Sequence, residues 1–406
     1  MTFSRRSFLA STLGAASLAM TGRAVNFAQE QTIAGFDETD TNANKEAVWQ
    51  PKSDRKIRMG IVGYGVCRFG TAFDLQNHPN VDVVAVSDLF PDRCSELAKQ
   101  CHCDKTYPSL EEMVKDDSIE AIFVATDAAH HGQHCIEVMR HGKHVATAVP
   151  AVLGNLEEAD QLYQTVKETG LTYMMFETTA YRDSVYASRE LYKRGLFGKI
   201  LYSEGEYFHY ASTPIDSYKG WRIGLPPQWY PTHSNGFYTC VTGGSFTEVT
   251  CYGTPSLLDP FKPENNAYGN KFGTEIALFK TSEGGTARMG VAWDCPGYHA
   301  EAGRNHGQFG TFFDSFQSEL SDIAEKAAAI DLRKPPLPPG VEAGGHGGSH
   351  GYLGNEFVES ILEQRKPLVD IACALNTTVS GVVAHQSAMR DGEHLTIPQY
   401  VYPFEK

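Results

Sequence analysis

Positive charge is scarce in this chain of 406 residues, where 35 Lys and Arg stand against 49 Asp and Glu, for a formal charge of −14 and a pI near 5.5. That balance excludes an extended nucleic-acid surface, because neutralising phosphates takes clustered cations. It points instead to an uncharged small-molecule substrate. No apolar run reaches membrane-spanning length, so no membrane contact is expected of the mature form. The cysteines number nine, an odd count that fits no disulfide framework, although one oxidised pair stays open. Cys101-His102-Cys103 has the look of a metal pair but lacks two further ligands at compatible spacing, so no metal is expected. No internal repeat is present.

What the chain does contain is a strand, a glycine turn, a helix and a second strand ending on an acid, over Ile57 to Asp88. Ile57, Met59, Ile61 and Val62 form the first apolar run. Gly63 and Gly65, around Tyr64 and followed by Val66, allow a tight turn and a close approach of main chain to a pyrophosphate. Free N–H groups at the next helix start would face that anion. Val81 to Val86 suits a strand buried on both faces, and Asp88 at its carboxyl end can accept from both ribose hydroxyls, which favours NAD over NADP. The third glycine of G-x-G-x-x-G is replaced by Arg68, which could lie along the pyrophosphate, and Gly70 follows two residues later.

Residues 1–30 carry Ser4-Arg5-Arg6-Ser7-Phe8-Leu9, a weakly apolar stretch and small residues near Ala19, Ala24 and Ala28. This pattern predicts a twin-arginine export signal and a periplasmic mature protein. Because that route carries folded proteins, a cofactor loaded in the cytosol can travel with the chain. Residues 31–55 read as a flexible leader.

From residue 56 to 180 strands and helices alternate, with helices over Pro91–Gln100, Ser109–Lys115, His131–Arg140 and Leu156–Glu168. Strands are expected at Ala121–Ala125, His144–Thr147 and Thr172–Phe176. That order predicts an α/β class domain, a doubly wound, Rossmann-type parallel sheet. Thr126 and His131 fall at the carboxyl edge of the sheet, where ligands of such folds bind, and His131 is expected to abut the cofactor. A helix over Ser184–Arg194 follows. Residues 181–406 read as an α+β domain for substrate and oligomerisation, built on an open, mostly antiparallel sheet, with strands at Ile200–Tyr210, Glu275–Phe279 and Thr286–Trp293. Terminal helices at Asn355–Glu363 and Cys373–Arg390 pack back. A Pro- and Gly-rich run over 335–350 reads as a long connection, and the segment around Tyr230 and His233 as a Pro-bounded loop.

The ordered motifs GYG, AVSD, ATDAAHH, GKHVATAVP, RGLFGKI, EYFH and WYPTHSNG resemble the glucose-fructose oxidoreductase, inositol dehydrogenase and MocA (Gfo/Idh/MocA) family over roughly residues 56 to 400. The resemblance implies a Rossmann domain joined to an open-sheet domain, hydride transfer between NAD and a sugar or polyol hydroxyl, and homo-oligomers through the open sheet. Two departures stand out. The Glu-Lys-Pro common at the strand end is Ala148-Val149-Pro150 here, so a lysine proton relay is absent, and Trp229 sits where an acid would precede His233 by four residues.

Other segments are similar to the NAD-dependent α-N-acetylgalactosaminidases: Glu177-Thr178-Thr179-Ala180-Tyr181, Tyr207-Phe208-His209, Trp221-Arg222, Tyr230-Pro231-Thr232-His233 and Gly345-His346-Gly347-Gly348. Those enzymes oxidise a ring hydroxyl, eliminate the aglycone, add water and return the hydride. By this resemblance His233, Tyr230 and Tyr181 are the catalytic candidates, Arg222, Tyr207 and His209 the substrate contacts, and Val149, Pro150 and Glu177 further cofactor contacts. Three functions stay open at this point: a dehydrogenase with tightly held NAD, a redox-neutral glycosidase, and a catalytically silent NAD-binding protein.

Overall fold

A computed structural model of the chain describes residues 48–404 apart from Tyr298. The export signal and most of the leader lie outside the described residues. The leader's final residues are tied down, because the Asn80 side-chain amide bonds the carbonyls of Ser53 and Arg55 while Arg55 pairs with Glu120 at 2.8 Å.

The first sheet has six parallel strands in the order β3-β2-β1-β4-β5-β6. They are β1 (Ile57–Val62), β2 (Val81–Ser87), β3 (Thr106–Tyr107), β4 (Ala121–Val124), β5 (His144–Thr147) and β6 (Tyr173–Met175). β4 is apolar and buried throughout, and β1 and β5 are buried apart from Arg58 and His144 at their starts, as a sheet covered by helices on each side requires. The helices between strands are α1 (Phe69–Ala72), α2 (Pro91–Gln100), α3 (Leu110–Met113), α4 (His131–Arg140) and α5 (Leu156–Thr169). The helix expected after the glycine turn is only one turn long. Arg68 and Asp74 take positive φ values of 55° and 57° on either side of it and break the helical path.

After α6 (Asp183–Lys193) the chain builds an eight-stranded mixed sheet ordered β13-β12-β11-β7-β10-β9-β8-β14. Its long strands are β7 (Ile200–Phe208), β8 (Phe246–Pro255), β9 (Phe272–Thr281), β10 (Thr286–Ala292) and β11 (Ala300–Gly307). Short strands β12 (Thr311–Phe313), β13 (Ser315–Gln317) and β14 (Leu395–Thr396) complete the edges. Only β7 and β10 pair in parallel. Between β7 and β8 lies α7 (Thr232–Thr242), buried at every residue. Its sequence THSNGFYTCVT is poor in helix formers, so burial and not propensity holds it helical. Ahead of it, the Tyr230–His233 segment expected to be a loop is a tight turn running into the first turn of that helix.

The helix α7 lies directly on the sheet because β7 and β11 carry glycine beneath it. A Cβ on Gly205 would stand 2.0 Å from the Ser234 carbonyl, and one on Gly303 would stand 2.3 Å from the Phe237 ring. This close approach fixes His233 above Tyr207. Of the terminal helices, α8 (Ser321–Ala328) covers the β13 edge, α9 (His350–Leu362) sends Leu353, Phe357 and Val358 back into the core of the first sheet, and α10 (Ile371–Ala388) packs under β8 and α7. Among the described residues no helix is long and apolar enough to cross a membrane, all nine cysteines are free, and no group of side chains is arranged to hold a metal.

Candidate active site

Two clefts flank the cluster of Tyr207, Tyr230 and His233, one lined by Tyr207 and the other by Arg222, which lies over the Tyr230 ring. The second of these, of about 460 Å³, runs along the carboxyl edge of the first sheet and is walled by Gly63, Gly65, Val66, Arg68, Asp88 and Thr126. Its opposite wall comes from the segment Ile215–Arg222 of the second sheet's first connection, and Tyr218 meets Phe90 across the gap with ring centroids 6.0 Å apart.

The residues of this cleft fit a dinucleotide. Gly63 has φ +99°, and a Cβ there would lie 2.3 Å from the Ala125 carbonyl, whereas Gly65 faces open space, leaving bare backbone for a phosphate. Asp88 accepts from Tyr64 N at 2.6 Å and from Phe90 N at 2.8 Å, which fixes its carboxylate at the end of β2 with lone pairs left for ribose hydroxyls. Gly70 supplies the close helix–turn contact that the missing third glycine would have made, since its Cβ would sit 2.5 Å from the Gly63 carbonyl. Arg68 lines the cleft but lies over the Tyr64 ring at 4.4 Å and pairs with Glu96 at 3.1 Å.

The chemistry-bearing side chains lie behind the Trp221–Arg222 wall of this cleft, around Tyr230. His233 Nδ1 donates to Glu177 Oε1 at 2.9 Å, and the same oxygen accepts from Thr179 N at 2.8 Å. Burial alone would raise the Glu177 pKa, but the His233 charge and hydrogen bond hold it down at about 2. Burial likewise opposes protonation of His233, and Glu177 overcomes this to raise its pKa above the ordinary value. With Nδ1 committed to a carboxylate, Nε2 is the free base of the ring. That ring is surrounded by Tyr207 at 4.7 Å, Tyr230 at 5.8 Å and His346 at 5.9 Å between centroids. Arg222 lies over the Trp221 ring at 4.2 Å and the Tyr230 ring at 5.6 Å. Burial pushes the Tyr230 phenol up, and Arg222 pulls the other way.

His233, Tyr230, Arg222, Tyr207 and His209 are thus brought together. Tyr181 is not, because its ring stacks on Tyr352 at 5.5 Å and faces α9, where burial lifts its pKa far from any base role. Glu177, expected against the cofactor, instead orients His233. His131, expected to abut the cofactor, is buried with its nitrogens at the carbonyls of Pro150 (2.9 Å) and Thr126 (3.2 Å), so it braces the cleft wall from behind. Val149 and Pro150 sit beneath that wall and are buried. The cleft is lined instead by His134, whose Nδ1 meets the Thr126 hydroxyl at 2.8 Å. Its i+3 spacing from His131 on α4 was the available signal. Trp229, in the place of the missing acid, turns away from the cleft to pack its ring against Gly154 and Tyr268.

Arg182 and Glu301 escaped sequence reasoning altogether. They form an ion pair beside Tyr207, and no motif marks either.

This architecture defines a two-domain nicotinamide-dinucleotide protein, with a Rossmann sheet and a sheet-borne substrate wall. Residues 57–177 match the sequence profile of the oxidoreductase family Gfo/Idh/MocA, NAD-binding Rossmann fold, so the first domain is an NAD-binding Rossmann domain of that kind, with NAD as its cofactor. The chain is 30% identical over 179 residues to the glycosyl hydrolase family 109 protein 1 of Bacteroides thetaiotaomicron, a match covering 41% of this chain and 38% of that one. The chain therefore spans about two fifths of the length of that curated relative. Against the family 109 protein of Saccharopolyspora erythraea it is 22% identical over 385 residues, covering 85% of this chain and 83% of the other. Its fold is similar to levoglucosan dehydrogenase in complex with NADH and levoglucosan (TM-score 0.69, 17% identity, 85% and 100% coverage) and to the WlbA dehydrogenase of Bordetella pertussis (TM-score 0.66, 17% identity, 86% and 100% coverage).

Proposed function

We propose that the protein is a redox-neutral glycoside hydrolase that oxidises a sugar ring hydroxyl with resident NAD and returns the hydride before product leaves. The observation that carries this reading is the buried Glu177–His233 pair, whose imidazole packs against Tyr207 and Tyr230 between the two clefts. It supplies a side-chain base where the strand end, Ala148-Val149-Pro150, has no lysine. The kinship with family 109 glycosyl hydrolases, one of them over most of both chains, supports the same reading.

NAD, when bound, takes up a hydride from the sugar carbon and later gives one back. The chain's own residues handle protons and position. Tyr230 is held as a neutral phenol, so it relays the hydroxyl proton, passing on its own as it accepts the sugar's, with Arg222 over its ring easing the step. Arg222 also stabilises the negative charge that develops on oxygen. The carbonyl so formed makes the adjacent C–H acidic. His233 Nε2 removes that proton, with Glu177 stabilising the imidazolium, and the imidazolium returns it to the glycosidic oxygen so that the aglycone departs as its own O–H. Water adds to the resulting double bond, and the carbonyl is reduced again. Summed, a glycoside and water give a sugar and an alcohol with no net redox change.

Resident cofactor suits a chain carried out of the cytosol by the twin-arginine route, where free NAD is scarce, and both belong to this proposal. So does self-association through the outer face of the second sheet, where Tyr252 and Leu278 are exposed. The test is to purify the protein without added nucleotide, assay its NAD content, and mix it with p-nitrophenyl α-N-acetylgalactosaminide. Nitrophenol release with no lasting rise in reduced-nicotinamide absorbance is expected. A stoichiometric rise with free sugars and no aglycone release would replace the reading with simple dehydrogenation.

A further inference from the structure

The far wall of the dinucleotide cleft, Ile215–Arg222, belongs to the connection between β7 and α7 and is tied down at its two ends. Ala211 N donates to the Trp293 carbonyl at 2.7 Å just past β10, and the Trp221 carbonyl accepts from the Tyr268 hydroxyl at 2.5 Å. Between these ties, among the described residues, no hydrogen bond joins residues 212–220 to the rest of the fold. Those of Ser217, Tyr218 and Gly220 stay within the connection. Lys219 and Gly220 both have positive φ, 52° and 66°, so the chain reverses there and brings the Trp221 N–H to the Tyr218 carbonyl at 3.5 Å. The segment runs the length of the cleft. At one end Trp221 and Arg222 lie against the Tyr230 ring, and at the other Tyr218 meets Phe90, two residues past Asp88.

We propose that this segment is a strap that closes over the adenosine half of NAD, and that the Phe90–Tyr218 contact is its latch to the first domain. The inference rests on the resident-cofactor part of the reading above and supplies the means of retention. Apolar exposure is the first argument. Val66, Leu89, Phe90 and Ile215 are all exposed, and all four line this one cleft. Large apolar side chains gathered around one opening are covered when a flat ring such as adenine lies among them.

Charge is the second argument. Arg93 lies over the Phe90 ring at 4.5 Å and Lys219 over the Tyr218 ring at 5.0 Å, so a cation flanks each half of the latch. Both line the cleft, and neither has an ion-pair partner among the described residues, whereas Arg68 is taken up by Glu96 at 3.1 Å. Two unpaired cations on the walls match the two negative charges of a pyrophosphate. With the strap latched, the cofactor leaves only when the Phe90–Tyr218 contact opens.

The test measures the cofactor itself. Wild type, Phe90→Ala, Tyr218→Ala and the double variant are purified without added nucleotide, NAD per chain is assayed after acid release, and its dissociation is timed by exchange against excess radiolabelled NAD. Phe90 is exposed and Tyr218 half-buried, so neither truncation burdens the core. Each single variant should release NAD about tenfold faster, the scale of one lost aromatic contact, and the double variant no faster than the quicker single, because one latch opens only once. Tyr218→Phe keeps the ring and should hold NAD as wild type does. Lys219→Asn accepts the left-handed backbone without the charge and should release NAD about threefold faster, an effect that fades as salt rises. ADP-ribose, which lacks the nicotinamide, should be released faster by the same factors. Unchanged release from Tyr218→Ala, effects of the two single variants that multiply in the double, or ADP-ribose release that does not move would each overturn the strap and leave the resident cofactor in place. NAD that leaves wild type within seconds would overturn both.

Discussion

Two buried Glu–His pairs flank the segment from Gln228 to His233, one in front of it and one behind. In front, His233 Nδ1 meets Glu177 at 2.9 Å; behind, His385 Nδ1 meets Glu275 at 2.6 Å. Both carboxylates are fully buried, so both pairs satisfy the rule that a buried charge needs a partner. They differ in what surrounds them. Glu275 uses both oxygens, the second accepting from Gln228 N at 2.8 Å, and His385 is enclosed by Trp229 and Phe272. Glu177 leaves Oε2 buried without a hydrogen bond, and its histidine faces Tyr207, Tyr230 and His346, between the two clefts. A saturated pair among apolar rings anchors the fold. An unsaturated one at a cleft is available for work.

The sharpest way to break this distinction is to change each histidine to asparagine, whose Nδ2 can still donate to the carboxylate. His233→Asn should lower turnover by roughly 10²–10⁴-fold, the range for loss of a positioned acid–base group. His385→Asn should leave turnover within about threefold while costing roughly 1–2 kcal/mol of stability, the scale of a weakened buried hydrogen bond. Progress curves and urea unfolding on the two proteins read this directly. Equal losses of activity would mean that the rear pair shapes the site as strongly as the front one forms it.

Next in size is the loss of charge at Glu177. The pKa of Glu177 is depressed to about 2 from an ordinary 4.5, so its contribution is present above pH 4.5 and is lost as pH falls through about 2. His233 is raised above its ordinary 6.5, so its contribution is full below pH 6.5 and is lost as pH rises through the folded value. These are two views of one interaction, and they predict that wild type exceeds Glu177→Gln in stability most between pH 4.5 and 6.5. Turnover in Glu177→Gln should fall on the order of 10²-fold. Its acid limb should move to lower pH, because a histidine without its carboxylate loses its proton more easily. Urea melts and pH–rate profiles check the two halves. An acid limb that does not move would detach Glu177 from the base.

The same contrast shows how far the sequence carried. The glycine turn, Asp88 and most of the first sheet were legible because their signals are local: apolar runs, turn glycines and an acid at a strand end. Helices α2 and α4 fall at the expected residues for the same reason. Helix α7 was hidden, since Pro231 and Ser234-Asn235-Gly236 are turn chemistry and only burial on Gly205 and Gly303 makes them helical. Strand β11, AEAGRNHG, has almost no β propensity and is held by its register with β7, so Glu301 gave no sign. The acid partner of His233 was sought four residues upstream and found on the strand-end segment after β6, a long-range pairing that local spacing does not encode. Tyr181 was drawn into the site by its motif, but α9 offered Tyr352 as a stacking partner and turned the ring away.

Cofactor loading tests the front pair a third time. An oxidised nicotinamide is cationic, so held beside the front pair it would lower the His233 midpoint. Proton NMR titration of the His233 imidazole signal in NAD-free and NAD-loaded protein reads the change. A midpoint that stays put on loading would place the nicotinamide away from the front pair.

The finest distinction lies in a second neighbour that only the front pair has. Thr178 Oγ1 stands 3.3 Å from His233 Nδ1, farther than the 2.9 Å of Glu177 Oε1, and among the described residues no hydroxyl bonds His385 Nδ1 in the same way. Two acceptors compete for one Nδ1–H, and the shorter, charged contact holds it. The hydroxyl is then a minor acceptor, or it donates to the ring nitrogen when that proton shifts toward Glu177. Thr178→Val removes it at nearly constant volume and should lower turnover only about two- to fivefold, an effect of one weak hydrogen bond, with a stability change near 1 kcal/mol. The double variant with Glu177→Gln decides what the hydroxyl does. If Thr178 is merely a bystander, its effect stays the same in either background. If it shares the proton, it becomes the main acceptor once the carboxylate charge is gone, and its removal then costs several times more.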